Sequence, residues 1–199
     1  QGVTDLICTP HYRNAFKASY GDVKEIFDSF DKTRKENGIN VNLYLGREFY
    51  ITKDFKKVLA EWDKDMTLNR SEYLLTEFDM TVKAEVPEIV YELTVMGYKP
   101  VVAHIERYGY CSLEDAFEVK EMGGLIQINA DSVAGKSKKA FYGYVKKLFK
   151  NGLVDFVSSD IHSGRADVMA AAEKFVSKKF GEDVAKEVFY ENAKKIIEG

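Results

Sequence analysis

Histidine, cysteine and proline are scarce in this chain, and long apolar runs are absent. Its 199 residues include three histidines, two cysteines and three prolines. Cys8 and Cys111 lack metal-type spacing, which excludes a disulfide framework and a thiolate zinc site and fits a reduced, cytoplasmic setting. No run of about 18 apolar residues occurs, so no insertion into a membrane is expected. The net charge of −3 provides no basic face, and no nucleic-acid partner is expected. With few prolines and no Ser/Gly-rich stretch there is no linker, so 1–199 reads as one domain with a sizeable core. The phosphate-cradling P-loop, a G-x-G-x-x-G after a strand and a G-x-S-x-G elbow are missing too. Cys8-Thr9-Pro10-His11-Tyr12-Arg13 is C-x4-R, one position short of the C-x5-R signature of thiol-based phosphatases.

What is present is an alternation of apolar strand-like runs with amphipathic helices. Strands are predicted near Val3–Thr9, Val41–Gly46, Glu72–Phe78, Lys99–His104, Leu125–Asn129 and Val154–Ser158. Between them, Val23, Ile26, Phe27 and Phe30 form one helical face, opened by an Asp22/Glu25 capping pattern and stopped at Gly38. Val86, Ile89, Val90 and Leu93 form a second. A third helix opens at Ser112 with Asp115. Phe141, Tyr144, Val145, Leu148 and Phe149 stripe a fourth, and Val168, Ala171, Ala172, Phe175 and Val176 a fifth. A last helix covers about Glu182–Ile197. Such alternation predicts parallel βαβ units, either an open doubly wound sheet or an incomplete barrel. Polar residues end nearly all six runs. That favours a barrel, in which every strand end faces one mouth. Gln1-Gly2-Val3 reads as the end of a helix followed by a strand, so a helix and a strand are expected upstream.

All three histidines close apolar runs: His11, His104 and His162. Pro10 fixes the backbone before His11. Glu77 lies inside Leu74-Leu75-Thr76-Glu77-Phe78, where an unpaired carboxylate is costly. Glu48 follows Gly46-Arg47 and taken alone is as readily a partner of Arg47. Asp160 and His162, two apart on an extended backbone, project to the same side. Together they place three histidines and three acids at five of six strand ends. Nitrogen and oxygen donors without thiolate suit Zn, Mn or Fe. Several carboxylates at one mouth call for more than one cation. Two-metal sites hydrolyse by activating water and clamping both oxygens. Arg107 and Arg165 stand beside these residues and match a phosphate's planar recognition, although a surface ion pair explains Arg165 equally well. Gln127 and Asn129 could line the mouth but read as structural.

These segments resemble the polymerase-and-histidinol-phosphatase (PHP) superfamily, and within it the bacterial PHP-type protein-tyrosine phosphatases of capsule and exopolysaccharide operons. The resemblance rests on Cys8-Thr9-Pro10-His11, Leu45-Gly46-Arg47-Glu48, Leu74-Leu75-Thr76-Glu77-Phe78, Ala103-His104-Ile105-Glu106-Arg107, Ser159-Asp160-Ile161-His162 and Glu191-Asn192-Ala193, spanning essentially the whole chain. It implies a distorted (β/α)7 TIM-like barrel and up to three divalent ions, manganese first, with iron or zinc as alternatives. His11, Glu48, Glu77, His104, Asp160 and His162 would be metal ligands, Glu48 bridging. Arg107 and Arg165 would hold phosphate. The substrate would be the phosphotyrosine tail of a membrane-associated tyrosine autokinase, and a homo-oligomer is left open. Rival readings are a small-molecule phosphoesterase such as a histidinol phosphatase, and a catalytically weak kinase-binding scaffold. Family members begin with a strand carrying D-x-H-x-H, which this chain does not show. Ile105 stands where a proline is usual, and Arg165 comes closer to the Asp-x-His pair than usual.

Overall fold

The computed structural model describes residues 2–13 and 17–198. Its strands are all parallel and pair in chain order. β1 (Asp5–Cys8) and β2 (His11–Tyr12) precede α1 (Tyr20–Glu36). β3 (Asn42–Leu45), β4 (Glu48–Tyr50) and α2 (Phe55–Trp62) follow, then β5 (Tyr73–Glu77), α3 (Val86–Val95), β6 (Lys99–Val102) and α4 (Leu113–Glu121). β7 (Leu125–Asn129), α5 (Ala130–Val133), α6 (Lys139–Lys150), β8 (Phe156–Ser158), α7 (Met169–Phe180), α8 (Glu182–Lys186) and α9 (Asn192–Glu198) complete the chain. β1 pairs with β3, and β2-β4-β5-β6-β7-β8 form a second ladder. Consecutive order with no reversal is the topology of a barrel wall, not of a doubly wound sheet.

β1 and β3 fall within the first two expected strands, while β2 and β4 resume the pairing beyond the expected ends at Thr9 and Gly46. Pro10 cannot donate to the ladder, and the neighbouring strand breaks beside it at Gly46-Arg47. Two bonds bridge the gap, Gly46 N–H to the Cys8 carbonyl at 2.8 Å and Glu48 N–H to the Pro10 carbonyl at 3.2 Å. The interruption re-aims the chain so that His11 and Glu48 open β2 and β4 as register partners.

The curl has a filled interior. Tyr73, Val101 and Phe156 pack there with Leu68 and with Ile196 of α9, against Ile7, Leu75 and Leu125. Tyr73, Leu125 and Phe156 open β5, β7 and β8. With a period of two, the same inward face carries Glu77 on β5 and Gln127 and Asn129 on β7. The base of the curl is thus apolar and its carboxyl end polar. On the outside, helices cover the sheet through a large cluster that includes Val90, Val102, Ile126, Ile128, Leu148 and Val176.

Three local expectations are corrected. The cap of α1 is Ser19 with Asp22, reciprocally bonded, not Asp22 with Glu25. The α1 face buries only Val23, while Ile26 and Phe30 are 71% and 54% exposed, because α1 sits at the sheet's first edge with β3 as its main neighbour. The last helix is not continuous α-helix: residues Glu187–Glu191 form a π turn. The short α2, not expected from the sequence, seats Phe55 and Leu59 in a second core cluster. The helix end expected at Gln1 lies outside the described residues; Gly2 has φ of 81°. Among the described residues no helix is long and apolar enough to cross a membrane.

Candidate metal and phosphate site

All eight residues singled out in the sequence meet at the carboxyl end of the curl. Glu77 ends β5, His104 and Asp160 lie two residues past β6 and β8, and His11 and Glu48 start β2 and β4. Register explains the inner group. His11 pairs with Glu48, and Tyr50 on the same strand pairs with Glu77, so the three side chains rise from adjacent strands on one face. One donor atom from each lies within 4.8 Å of the other two.

Contacts within this group are short and charged. His11 Nδ1 lies 2.9 Å from Glu48 Oε2 and 3.6 Å from Glu77 Oε2. His104 Nε2 lies 3.1 Å from Glu48 Oε1 and 3.9 Å from Glu77 Oε1. Glu48 is therefore shared by two imidazoles, and Arg47 is not its partner: that guanidinium stacks on the Tyr12 ring at 5.3 Å and donates to the Ala18 carbonyl. Burial pushes the Glu48 carboxyl up, but His104 and His11 outweigh it and hold it at about 2. Glu77 moves the other way, raised by burial and by the Glu48 charge. His11 is raised because Glu48 and then Glu77 favour its charged form.

The outer group is built on Asp160. Its Oδ2 accepts from Asn129 Nδ2 at 2.8 Å and from an Arg107 guanidinium nitrogen at 3.2 Å, with an Arg165 nitrogen at 3.6 Å. His162 Nδ1 contacts the Asp160 carbonyl at 3.0 Å. His11 Nε2 and His162 Nε2 join the two groups at 3.3 Å. His104 and Asp160 both turn left-handed, with φ of 33° and 45°. Non-glycine residues reach that region at a cost of about 1–3 kcal/mol, borne where surrounding structure over-determines it.

That structure is a polar ladder on β7. The His104 N–H donates to Gln127 Oε1 at 2.6 Å, Gln127 Nε2 to Asn129 Oδ1 at 3.0 Å, and Asn129 Nδ2 to Asp160. The Asn129 N–H donates to buried Glu106 at 3.0 Å, whose carboxyl is raised by burial. Gln127 and Asn129 do not simply line the mouth. They lock both left-handed residues, and the signal for this was two amides at consecutive inward positions of an otherwise apolar strand.

The donors fit divalent cations. Glu77 Oε2, His11 Nδ1 and His104 Nδ1 are buried without a well-aligned hydrogen-bond partner, although His11 Nδ1 lies 2.9 Å from Glu48 Oε2. His11 Nε2 and His162 Nε2 stand 3.3 Å apart, close enough to share a proton or to be drawn to one cation. The set is imidazole and carboxylate only, as zinc, manganese and iron accept.

The chain is similar to known proteins over nearly its whole length. The chain is 33% identical to the tyrosine-protein phosphatase CpsB of Streptococcus pneumoniae, over 99% of this chain and 85% of that protein. It is 28% identical to the tyrosine-protein phosphatase YwqE of Bacillus subtilis, over 92% and 74%. A solved chain from the crystal structures of YwqE and CpsB, described as unique metal-dependent tyrosine phosphatases, superposes with a TM-score of 0.90 at 28% identity, over 99% of this chain and 81% of that one. The curled parallel sheet is thus a distorted TIM-like barrel wall of the PHP type. Residues 1–198 match the family profile for capsular polysaccharide synthesis, CpsB/CapC, and this chain belongs to that family.

Proposed function

We propose that this chain is a metal-dependent protein-tyrosine phosphatase. The observation that carries the reading is Asp160, whose carboxylate holds two arginines and lies 3.5 Å from His162, the imidazole that touches His11 of the buried histidine and carboxylate cluster. His11, Glu48, Glu77, His104, Asp160 and His162 would hold divalent ions, with Glu48 placed to bridge. Manganese is the first choice, iron and zinc the alternatives, with up to three ions in a complete site. Bound there, such ions supply Lewis acidity toward phosphoryl oxygens and lower the pKa of bound water.

The chain's own residues do the rest. Arg107, 27% exposed, and Arg165, 52% exposed, present guanidinium forks where a phosphoryl group would meet the donors. Asp160 fixes their heads in advance, so less conformational freedom is lost on binding. The tyrosyl oxygen leaves readily as phenolate, whose pKa of about 10 asks for less proton assistance than an alkoxide. No thiol takes part. The substrate we assign is a phosphotyrosine segment of a tyrosine kinase that acts in capsule or exopolysaccharide synthesis, and residues 1–199 act as one domain.

The test compares turnover of a phosphotyrosyl peptide and of a small alkyl phosphate by the full chain, with manganese and with chelator. Manganese-dependent preference for the peptide is expected. Preference for the alkyl phosphate would transfer the assignment to a small-molecule phosphoesterase. Absence of bound metal together with no gain from manganese would favour a binding scaffold.

A further inference from the structure

Arg107, Arg165 and Asn129, three of the side chains that reach Asp160, also line a cavity of about 220 Å3. Its other wall includes Asp131, Lys138 and Phe141. Whole drug-sized ligands occupy sites of about 300 Å3 and above, so this one is sized for a single side chain. We propose that the cavity is the specificity subsite of the phosphatase reading above: Phe141 takes the tyrosyl ring, and Lys138 takes an acidic residue beside the phosphotyrosine.

Position is the first argument. The cavity shares its arginine wall with the groups assigned to the phosphate. A ring bonded to that phosphate must leave through the space next to them.

Chemistry is the second. Phe141 is half-buried and supplies the apolar surface of an otherwise polar wall, and aromatic pairs gain beyond simple burial. The Lys138 ammonium lies 5.7 Å from the centre of that ring. Among the described residues it pairs with no carboxylate. Lys136 and Lys139 flank it, all three exposed. α6 opens at Lys139 without a side-chain cap, so its positive end adds to the same rim. Against these cations stands one acid in the wall, Asp131. The rim therefore favours negative charge on whatever follows the phosphotyrosine into solvent.

Two phosphotyrosyl peptides test this, identical except that one carries glutamates and the other alanines beside the phosphotyrosine. Turnover by the manganese-loaded full chain is measured for both. Binding is measured separately, by fluorescence anisotropy, with peptides bearing a non-hydrolysable phosphonate. The wild type should favour the acidic peptide in both assays, less so as salt rises. Lys138→Ala should reduce that preference about two- to fivefold, the scale of one exposed ion pair. Lys138→Arg should keep it and Lys138→Glu reverse it. Phe141→Ala should raise KM for both peptides about two- to tenfold with kcat little changed, and Phe141→Tyr should restore KM. An acidic preference untouched by Lys138→Glu, a Phe141→Ala loss confined to kcat, or binding of neither phosphonate would overturn the subsite. Phosphonate binding with the expected Lys138 dependence, but no turnover, would sink the phosphatase reading and leave the subsite standing.

Discussion

His11 and His162 meet Nε2 to Nε2 at 3.3 Å, although 151 positions separate them. One sits at the first edge of the curled sheet and the other just past its last strand. Two imidazole nitrogens in contact need a proton or a cation between them. Shared ligation of one ion makes their losses overlap rather than add. His11→Ala and His162→Ala should each lower turnover about 100-fold or more, given that even outer partners of a metal are worth 10–100-fold. The double variant should be within a few-fold of the worse single one. Multiplying losses would show that the two histidines serve separate ions.

Asp160 and Arg107 touch at 3.2 Å but should fail in different ways. Asp160→Ala removes a donor, so metal content measured by elemental analysis should fall along with turnover. His104→Ala should do the same, with the fold retained in both by circular dichroism. Arg107→Ala leaves every donor in place. It should raise KM for aryl phosphate several-fold or more, with metal content unchanged. Equal metal loss in all three variants would contradict these roles.

Asn129 touches no candidate substrate position through its backbone, yet it ties Asp160 to Gln127 and so to His104. Asn129→Leu keeps the volume and deletes the amide. It leaves Gln127 and Asp160 each short of a buried bond, at a cost of about 1–3 kcal/mol, and frees two left-handed residues to relax. Turnover should drop about 10–100-fold, with weaker manganese affinity by titration. A stability loss without any change in manganese affinity would mean that the ladder is structural only.

The strand ends were legible because buried parallel strands are short apolar runs, and a histidine or acid closing such a run is chemically conspicuous. The parallel barrel wall and the clustering of these side chains at its carboxyl end followed from that. Less visible were features set by tertiary context. The apolar runs end at Thr9 and Gly46, and nothing in them announces that pairing resumes past Pro10 and Arg47. The α1 stripe of Ile26 and Phe30 obeys helical periodicity but lacks a covering layer among the described residues. Gln127 and Asn129 looked structural because an amide gives no sign of its partners. Their partners here come from turns 23 and 31 residues away.

Neither cysteine serves the chemistry, and both are poor nucleophiles in the folded chain. Burial pushes the Cys111 thiol up to about 12 and raises Cys8 as well. A raised pKa means less thiolate at neutral pH and slow alkylation. Iodoacetamide at neutral pH should leave the native enzyme's turnover intact, while a chelator should abolish it until manganese is restored. Inactivation that tracks alkylation of Cys8 would sink the metal mechanism.

Gly46 holds the last testable link between packing and site. A Cβ there would lie 2.8 Å from Leu68 Cδ2, 3.1 Å from the Leu68 Cα and 3.3 Å from Ile7 Cγ2. The leucine methyl can rotate away, but the backbone carbon cannot. Gly46→Ala should therefore cost about 1–3 kcal/mol as overpacking, a fall of roughly 2–12 °C in Tm for a chain of this size. The strain falls two residues before Glu48, so manganese affinity should fall with it. Gly143→Ala is the contrast: nothing lies within 4 Å of its added carbon, and α6 gains a better helix former worth about 0.5–1 kcal/mol. If the Gly46 variant matches the Gly143 variant in melting temperature and manganese affinity, the close approach of β3 to Leu68 does not position Glu48.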